Sequence, residues 1–192
     1  MKSKYFNFCK LFSDFIDMKY AKKIVFIILF FVFSCMPQQT YVKRPQSNSL
    51  RQSQNSIAKN VLRSSNLSET RKSIIRTADS LKGTPYLSGG TSPKGFDCSG
   101  FVQYVYGKSN ISVQRTTDQQ YMKGRKVGLN NIKAGDLVFF QTASKKISHV
   151  GIYVGDGQFI HAPSSGKTVS YASIENSYWK PRYRGAASYI KR

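Results

Sequence analysis

Cys98 and two histidines are the residues of this chain whose types could carry out nucleophilic chemistry. Cys98 follows Asp97 at the start of a segment with helical apolar spacing. A helix N-terminus favours the thiolate form of a cysteine and lowers its pKa from about 8.5 into a range of roughly 3.5 to 7.5. His149 and His161 are the only two histidines, and both lie in one β-rich stretch downstream. The three residues predict a cysteine nucleophile, Cys98, served by an imidazole base.

The turn between the two histidines decides whether their rings can act together. Gly155–Gly157 predicts a hairpin turn, because glycine tolerates positive φ. A three-residue loop sets His161 opposite Gly151 and makes His149 its diagonal neighbour on the same face, about 7 to 8 Å away. A two-residue loop puts the rings on opposite faces unless a bulge restores the alternation. The chemistry, in which His149 takes the thiol proton and His161 orients its ring, requires the first arrangement or its bulged equivalent. Both rings are then expected on the face against which the Cys98 helix packs.

A metal site is the competing use of one cysteine and two histidines. Structural zinc sites need four ligands and favour paired cysteines, which this segment lacks. The sequence therefore predicts no metal, and the cysteine mechanism needs no cofactor.

The apolar pattern places helices before strands. Helices are predicted over 67–82 with Asn66 as the cap, from Cys98 to Gly107 with Asp97 as the cap, and over 116–123. Short strands are predicted at 136–140, 148–154, 158–161 and 168–171. This order is typical of an α+β fold, with N-terminal helices packed on a mostly antiparallel β-sheet.

The N-terminal segment has the pattern of an export signal. Lys19, Lys22 and Lys23 stand close before the apolar run Ile24–Phe33. This run is shorter than the roughly 20 residues that span a bilayer. Phe31–Cys35 resembles a bacterial lipobox, in which the cysteine is acylated and becomes the mature N-terminus. Residues 1–35 are therefore predicted to be a lipoprotein signal peptide ending in Cys35. An ordinary cleaved signal and an anchor helix are the alternatives.

The rest of the chain divides into a tether and one domain. Residues 36–66 are polar and basic, which predicts a flexible tether, and 67–192 suffice for one globular domain. Residues 1–34 carry six basic and two acidic side chains, so a formal net charge of +17 remains of the total +21. This charge predicts either binding to anionic wall polymers or a basic surface that attracts anions without specificity. Export argues against nucleic acid as a partner.

Several short motifs, in order along the domain, resemble those of the NlpC-type cell-wall peptidase family. They are Gly83–Tyr86, Gly89–Gly90, Gly95–Phe101, Arg115 with Gln119, Ala134–Phe140, Ser148–Gly155 and Phe159–Pro163. The resemblance implies a papain-like fold and cleavage of peptidoglycan stem peptides, commonly between γ-D-glutamate and the following diamino acid.

The resemblance also implies roles for individual residues. Cys98, His149 and His161 match the family's cysteine, histidine and polar third residue. Tyr86 matches a tyrosine whose hydroxyl helps to stabilise the oxyanion, with a packed loop aromatic as the alternative. Asp97 and Ser99 match positions that border the substrate cleft, and for Asp97 a helix cap without substrate contact is the alternative.

These observations together predict a lipid-anchored cysteine endopeptidase of peptidoglycan, facing the periplasm or cell wall. Two other functions stay open. One is a cell-wall amidase or acyltransferase with the same acyl-enzyme chemistry, and the other is a non-catalytic peptidoglycan-binding lipoprotein.

Overall fold

A computed structural model of the protein describes residues 57–63, 66–142 and 146–191. All of them belong to the compact unit Gln46–Arg192. The predicted signal peptide, Cys35 and the first part of the tether lie outside the described residues. Within the described ranges, no helix has the length and apolar character needed to cross a membrane.

In the described part of the chain four helices come before most of the strands; the sequence predicts this order and three of the helices. The four are α1 (57–63), α2 (Glu69–Ser80), α3 (Cys98–Gly107) and α4 (Thr117–Lys123). The cap predicted at Asn66 is wrong: α2 begins later, and Ser68 is its N-cap, with its carbonyl oxygen accepting from the Lys72 amide at 3.1 Å. Helix α1 falls within the segment predicted to be a tether, and its Ala58 is only 2% exposed. Ordered structure therefore begins before residue 67.

Among the residues that the structure describes, six antiparallel strands form the main sheet, in the order β3-β8-β4-β5-β6-β7. Their bounds are β3 Arg125–Val127, β4 Leu137–Phe140, β5 His149–Gly155, β6 Gln158–His161, β7 Ser170–Ser173 and β8 Tyr183–Ser188. A small hairpin of β1 (Thr91–Ser92) and β2 (Gly95–Phe96) leads into α3. Short 3₁₀ turns cover Leu129–Asn131 and Lys180–Arg182. The predicted α+β class is confirmed, although β1, β2, β3 and β8 are absent from the prediction.

The sheet is covered on both faces, which explains why β4 is a continuous apolar run. Leu137 and Phe139 belong to the cluster that includes α3, whereas Val138 and Phe140 belong to a cluster on the other face. This is the two-residue alternation of a strand. The buried face of α3 packs on β5, and each fully buried side chain of this kind contributes about 1.5 to 3 kcal/mol. The packing holds the start of α3 beside the first residues of β5.

Candidate active site

Cys98 is the first residue of α3, and the turn before it is held by two close contacts. The Asp97 carboxylate accepts a hydrogen bond from the Gly100 amide at 2.6 Å, so the predicted N-cap is confirmed. A Cβ on Gly100 would lie 2.1 Å from the Gly90 carbonyl oxygen. Only glycine lets the loop before β1 approach the helix this closely. The helix start and the glycine-rich loop therefore fit together as one unit.

The Cys98 sulfur is half-buried among polar groups from three elements. It lies 3.7 Å from the Thr117 hydroxyl at the start of α4 and 4.0 Å from the Ser148 carbonyl oxygen just before β5. Burial raises the pKa of the Cys98 thiol, and the negative charge of Asp97 acts in the same direction. Hydrogen bonds from Thr117 and the Val150 amide oppose this without reversing it. The lowered pKa expected from the helix terminus is therefore not found, because desolvation outweighs the terminus.

The histidine hairpin has the bulged form of the two predicted arrangements. Gly155 pairs with Gln158 across a two-residue turn, and the register shifts between Tyr153 and Gly155. Beyond this bulge Ile152 pairs with Ile160. Continued by one residue, this register sets His161 beside Gly151, where a Cβ would lie 3.2 Å from the His161 Cβ. The bulge thus puts His149 and His161 on one face. This face carries Phe140 and Phe159, whose cluster lies on the side of the sheet away from α3, so the expectation that the rings lie on the face that packs against the Cys98 helix is wrong.

The two imidazoles are joined by a hydrogen bond in a buried environment. His149 Nε2 and His161 Nδ1 are 2.7 Å apart, and the side chains are only 4% and 3% exposed. Burial lowers the pKa of His149 to about 4. Burial also lowers the pKa of His161 well below its usual value, with help from the nearby His149 and Lys167. Both rings are therefore neutral at neutral pH.

Trp179 covers this pair and is absent from the predicted site. Its ring stacks on His149 at 5.1 Å between centroids and meets His161 edge-on at 5.0 Å. Phe140 and Phe159 pack against the same indole. As the only tryptophan in the chain, placed after the last predicted strand, it could be singled out from the sequence but not assigned to the histidines. The indole helps to keep water from the imidazoles.

A cleft of about 560 Å³ opens on the histidine pair. Its lining is Thr142, His149, His161, Pro163, Ser164, Lys167, Ser170, Tyr178 and Trp179. Trp179 and Tyr178 give it an aromatic wall, while hydroxyl groups and Lys167 supply polar contacts. Such a mixture suits an extended polar ligand such as a peptide.

Asp97 is held by Arg115 as well as by the helix. Two hydrogen bonds join the guanidinium to the carboxylate, at 3.0 and 2.5 Å, and a third reaches the Ser99 hydroxyl at 2.9 Å. Burial raises the pKa of Asp97, but hydrogen bonds from Arg115 and the Gly100 amide outweigh it and leave the pKa below its usual value. Asp97 is therefore an ionised cap that ties α3 to the loop before α4.

Tyr86 lies close enough to Cys98 and Asp97 to be influenced by both. Burial raises the pKa of Tyr86, and the charges of Cys98 and Asp97 add to the effect. Its backbone forms a bridge to Phe96, and its amide donates to the Lys167 carbonyl oxygen at 2.9 Å. The tyrosine is thus placed beside the start of α3.

Across the described ranges, no three His, Cys, Asp or Glu side chains gather as metal ligands would.

A half-buried cysteine at a helix start, with paired histidines on an antiparallel sheet, defines an α+β domain of the NlpC type. Residues 83–188 match the model of the NlpC/P60 family, and the chain belongs to that family. The resemblance predicted from the motifs is confirmed.

Curated relatives share this domain within longer proteins. The chain is 49% identical over 113 residues to the probable peptidoglycan endopeptidase LytE of Bacillus subtilis, covering 59% of this chain and 33% of LytE. It is 38% identical over 130 residues to the probable endopeptidase YafL of Escherichia coli, covering 65% and 52%. A gamma-D-glutamyl-L-lysine dipeptidyl-peptidase of B. subtilis is 39% identical over 113 residues, covering 58% and 38%. The matches span a third to about half the length of these relatives.

Solved structures show the same fold. The NlpC/P60 domain of the peptidoglycan hydrolase SagA superposes with a TM-score of 0.55 at 37% identity, covering 62% of this chain and 97% of that one. A Staphylococcus aureus protein of the family, described as similar to a lipoprotein, gives a TM-score of 0.60 at 34% identity, covering 67% and 44%.

Proposed function

We propose that this protein is a cysteine peptidase that cleaves peptidoglycan stem peptides between γ-D-glutamate and the following diamino acid. The observation that carries the proposal is the 2.7 Å hydrogen bond between His149 and His161, in a cleft lined by both rings. The Cys98 sulfur lies 4.0 Å from the carbonyl oxygen of Ser148, the residue before His149. The relatives named as a peptidoglycan endopeptidase and as a gamma-D-glutamyl-L-lysine dipeptidyl-peptidase support the substrate class.

The hydrogen bond between the histidines assigns a role to each ring nitrogen. A neutral imidazole has one donor and one acceptor nitrogen. If His149 Nε2 donates to His161 Nδ1, then His149 Nδ1 carries the lone pair that can accept the Cys98 proton. His161 thus fixes the tautomer and orientation of the base, as the third member of a catalytic triad does.

The reaction then proceeds through an acyl-enzyme. As His149 takes the proton, the Cys98 sulfur attacks the γ-glutamyl carbonyl carbon. The developing negative oxygen is stabilised by backbone N–H groups at the start of α3 and by the Tyr86 hydroxyl. The protonated His149 gives its proton to the departing amine of the diamino acid. Water, deprotonated by the same ring, hydrolyses the thioester and restores the thiol.

The resting enzyme is a neutral pair rather than a thiolate and an imidazolium. Burial raises the pKa of Cys98 and lowers that of His149 to about 4. Both shifts favour the uncharged forms at neutral pH. Proton transfer from sulfur to nitrogen therefore accompanies attack on the bound substrate.

Two alanine variants and a matched control test the proposal. Cys98→Ala and His149→Ala should each abolish release of stem-peptide fragments from purified sacculi, whereas Ser92→Ala, on exposed β1, should not. Mass spectrometry of the products should show a newly exposed amine on the diamino acid. Full activity of Cys98→Ala would refute the mechanism, and products with a free lactyl group on the sugar would point to an amidase.

We also infer that the protein is exported and held at the envelope membrane by a lipid on Cys35. The apolar run before Cys35 and the basic tether after it support this, as does the staphylococcal structure described as similar to a lipoprotein. Metabolic labelling with a fatty acid should mark the wild-type protein and not Cys35→Ser. Equal labelling of both would exclude Cys35 as the acylated residue.

A further inference from the structure

A second cavity, of about 700 Å³, has a strongly basic lining. Its charged residues are Arg71, Arg125, Lys126, Lys133, Lys191 and Asp136. We call this cavity the basic pocket. It is formed by the first turn of α2, strand β3, the loop before β4 and the end of the chain after β8, and it shares no lining residue with the histidine cleft.

The basic pocket lies at the end of the sheet opposite to the histidines. Asp136 precedes β4, and its carbonyl oxygen accepts from the Tyr153 amide at 2.8 Å. His149 begins β5 and pairs with Phe140 at the other end of β4. The four residue steps from His149 to Tyr153 span about 14 Å, at about 3.4 Å per step. A ligand in the basic pocket can therefore be held without blocking the cleft.

The one acidic side chain in the lining is already neutralised. Asp136 is 1% exposed, and Arg71 binds its carboxylate at 3.0 Å. Lys126 donates to two carbonyl oxygens and lies 4.0 Å above the Tyr121 ring. Among the residues that the structure describes, three exposed cations of the pocket form no ion pair with a carboxylate: Arg125, Lys133 and Lys191.

An exposed apolar side chain stands beside these cations. Leu129 is 51% exposed and lies in the 3₁₀ turn between Gly128 and Asn131, both of which line the pocket. Exposed leucine next to lysine and arginine is the composition of segments that rest on a membrane interface, where the apolar group enters the headgroup layer and the cations meet phosphates.

We propose that the basic pocket docks the domain on an anionic phospholipid surface, with Arg125, Lys133 and Lys191 at the lipid phosphates and Leu129 in the headgroup layer. The chain that leads in from the N-terminus reaches the pocket directly, since Asn66 and Ser68 line it. Docking in this way turns the histidine cleft away from the membrane, toward peptidoglycan. The proposal holds whether or not Cys35 carries a lipid.

Vesicle sedimentation tests this docking with charge-matched variants. The protein used begins at residue 36, which removes the apolar segment and retains every helix and strand that the structure describes. The pocket variant is Arg125→Gln/Lys133→Gln/Lys191→Gln, and the control variant is Arg76→Gln/Lys94→Gln/Lys108→Gln, at exposed positions outside the pocket.

On vesicles of phosphatidylglycerol and phosphatidylcholine in equal parts, the pocket variant should lose roughly 100-fold in partition coefficient. This follows from about fivefold for each basic residue near an anionic surface. The control variant should lose less than about fivefold, and Leu129→Asn should lose roughly fivefold. Vesicles of phosphatidylcholine alone should bind little of any form. Hydrolysis of soluble stem peptides by the pocket variant should stay at the wild-type level, which separates this test from that of the catalytic proposal.

Three outcomes would overturn the docking proposal. An equal loss of vesicle binding in the pocket and control variants would show that the vesicles are attracted by the general surface charge of the protein. Equal binding to neutral and anionic vesicles would exclude the phosphates. Tight binding of soluble poly(glycerol phosphate), together with no effect of Leu129→Asn on vesicles, would make the ligand a soluble polyanion rather than a membrane.

Discussion

Removing the Trp179 ring should raise the pH at which activity is lost in acid. The indole stacks on one face of the His149 ring at 5.1 Å between centroids and makes an edge-to-face contact with the His161 ring at 5.0 Å. Burial holds the pKa of His149 at about 4, against 6.5 for a free imidazole. This lowering corresponds to about 3 kcal/mol against the charged form. Because the indole covers one of the two faces of the imidazole, Trp179→Ala should raise the pKa of His149 by roughly one.

The measurement is kcat/KM for a soluble stem peptide between pH 3.5 and 8. The acid limb of this profile reports the base of the free enzyme. In Trp179→Ala the acid limb should move up by about one pH unit. The kcat/KM of this variant at pH 4 should then be up to about tenfold below its own plateau value. Trp179→Phe keeps an aromatic cover and should hold the limb within a few tenths of a unit of wild type.

A lower plateau with an unmoved acid limb in Trp179→Ala would refute the reasoning. It would show that the indole binds substrate without excluding water from the imidazole. A wild-type acid limb near pH 6.5 would refute the neutral resting pair itself.

Three further predictions concern the same domain. Gly100→Ala should destabilise the fold by about 2 to 3 kcal/mol, because its Cβ would lie 2.1 Å from the Gly90 carbonyl oxygen. Gly107→Ala, in the same helix, meets nothing within 4 Å and should be neutral or stabilising by up to about 1 kcal/mol. Urea unfolding of the two variants compares their free energies of unfolding. The unfolded chain binds more protons than the folded one below pH 6.5, since folding lowers the pKa of both His149 and His161. The free energy of unfolding should fall as pH drops from 6.5 to about 4, with about 3 kcal/mol of the fall due to His149, and His149→Asn should reduce the slope and leave the part due to His161. His161→Gln should keep more kcat than His161→Ala, because an amide can still bond to His149 Nε2 and orient the ring; equal losses would argue against an orienting role.

The local chemistry of the site was predictable because it depends on neighbours in sequence. Asp97 caps the helix that begins at Cys98, and Gln158–His161 has the predicted strand bounds. The common face of the two histidines was predictable only as a condition, because turn length alone leaves the register open. The structure meets that condition through a β-bulge, which no single residue type in the sequence predicts.

Long-range effects account for what the sequence did not show. Trp179 joins the histidines through the packing of Phe140 and Phe159 on the far face of the sheet. The raised pKa of Cys98 comes from burial that only the assembled helices and strands create. Strand β3 forms because β8 offers it an edge, since Arg125–Val127 has little apolar character of its own.

The bulge between Tyr153 and Gly155 makes the hairpin unequally sensitive to deletions. Loss of Val154, the unpaired residue of the bulge, would leave Gly151 beside His161, whereas loss of Ile152 would move His149 to the opposite face and away from its partner. Insertions at the exposed tip leave the alternation below it untouched. Protein engineers who graft this histidine pair into another scaffold must therefore transplant residues 149–161 as an unbroken cassette, and loop libraries should vary only the Asp156-Gly157 tip.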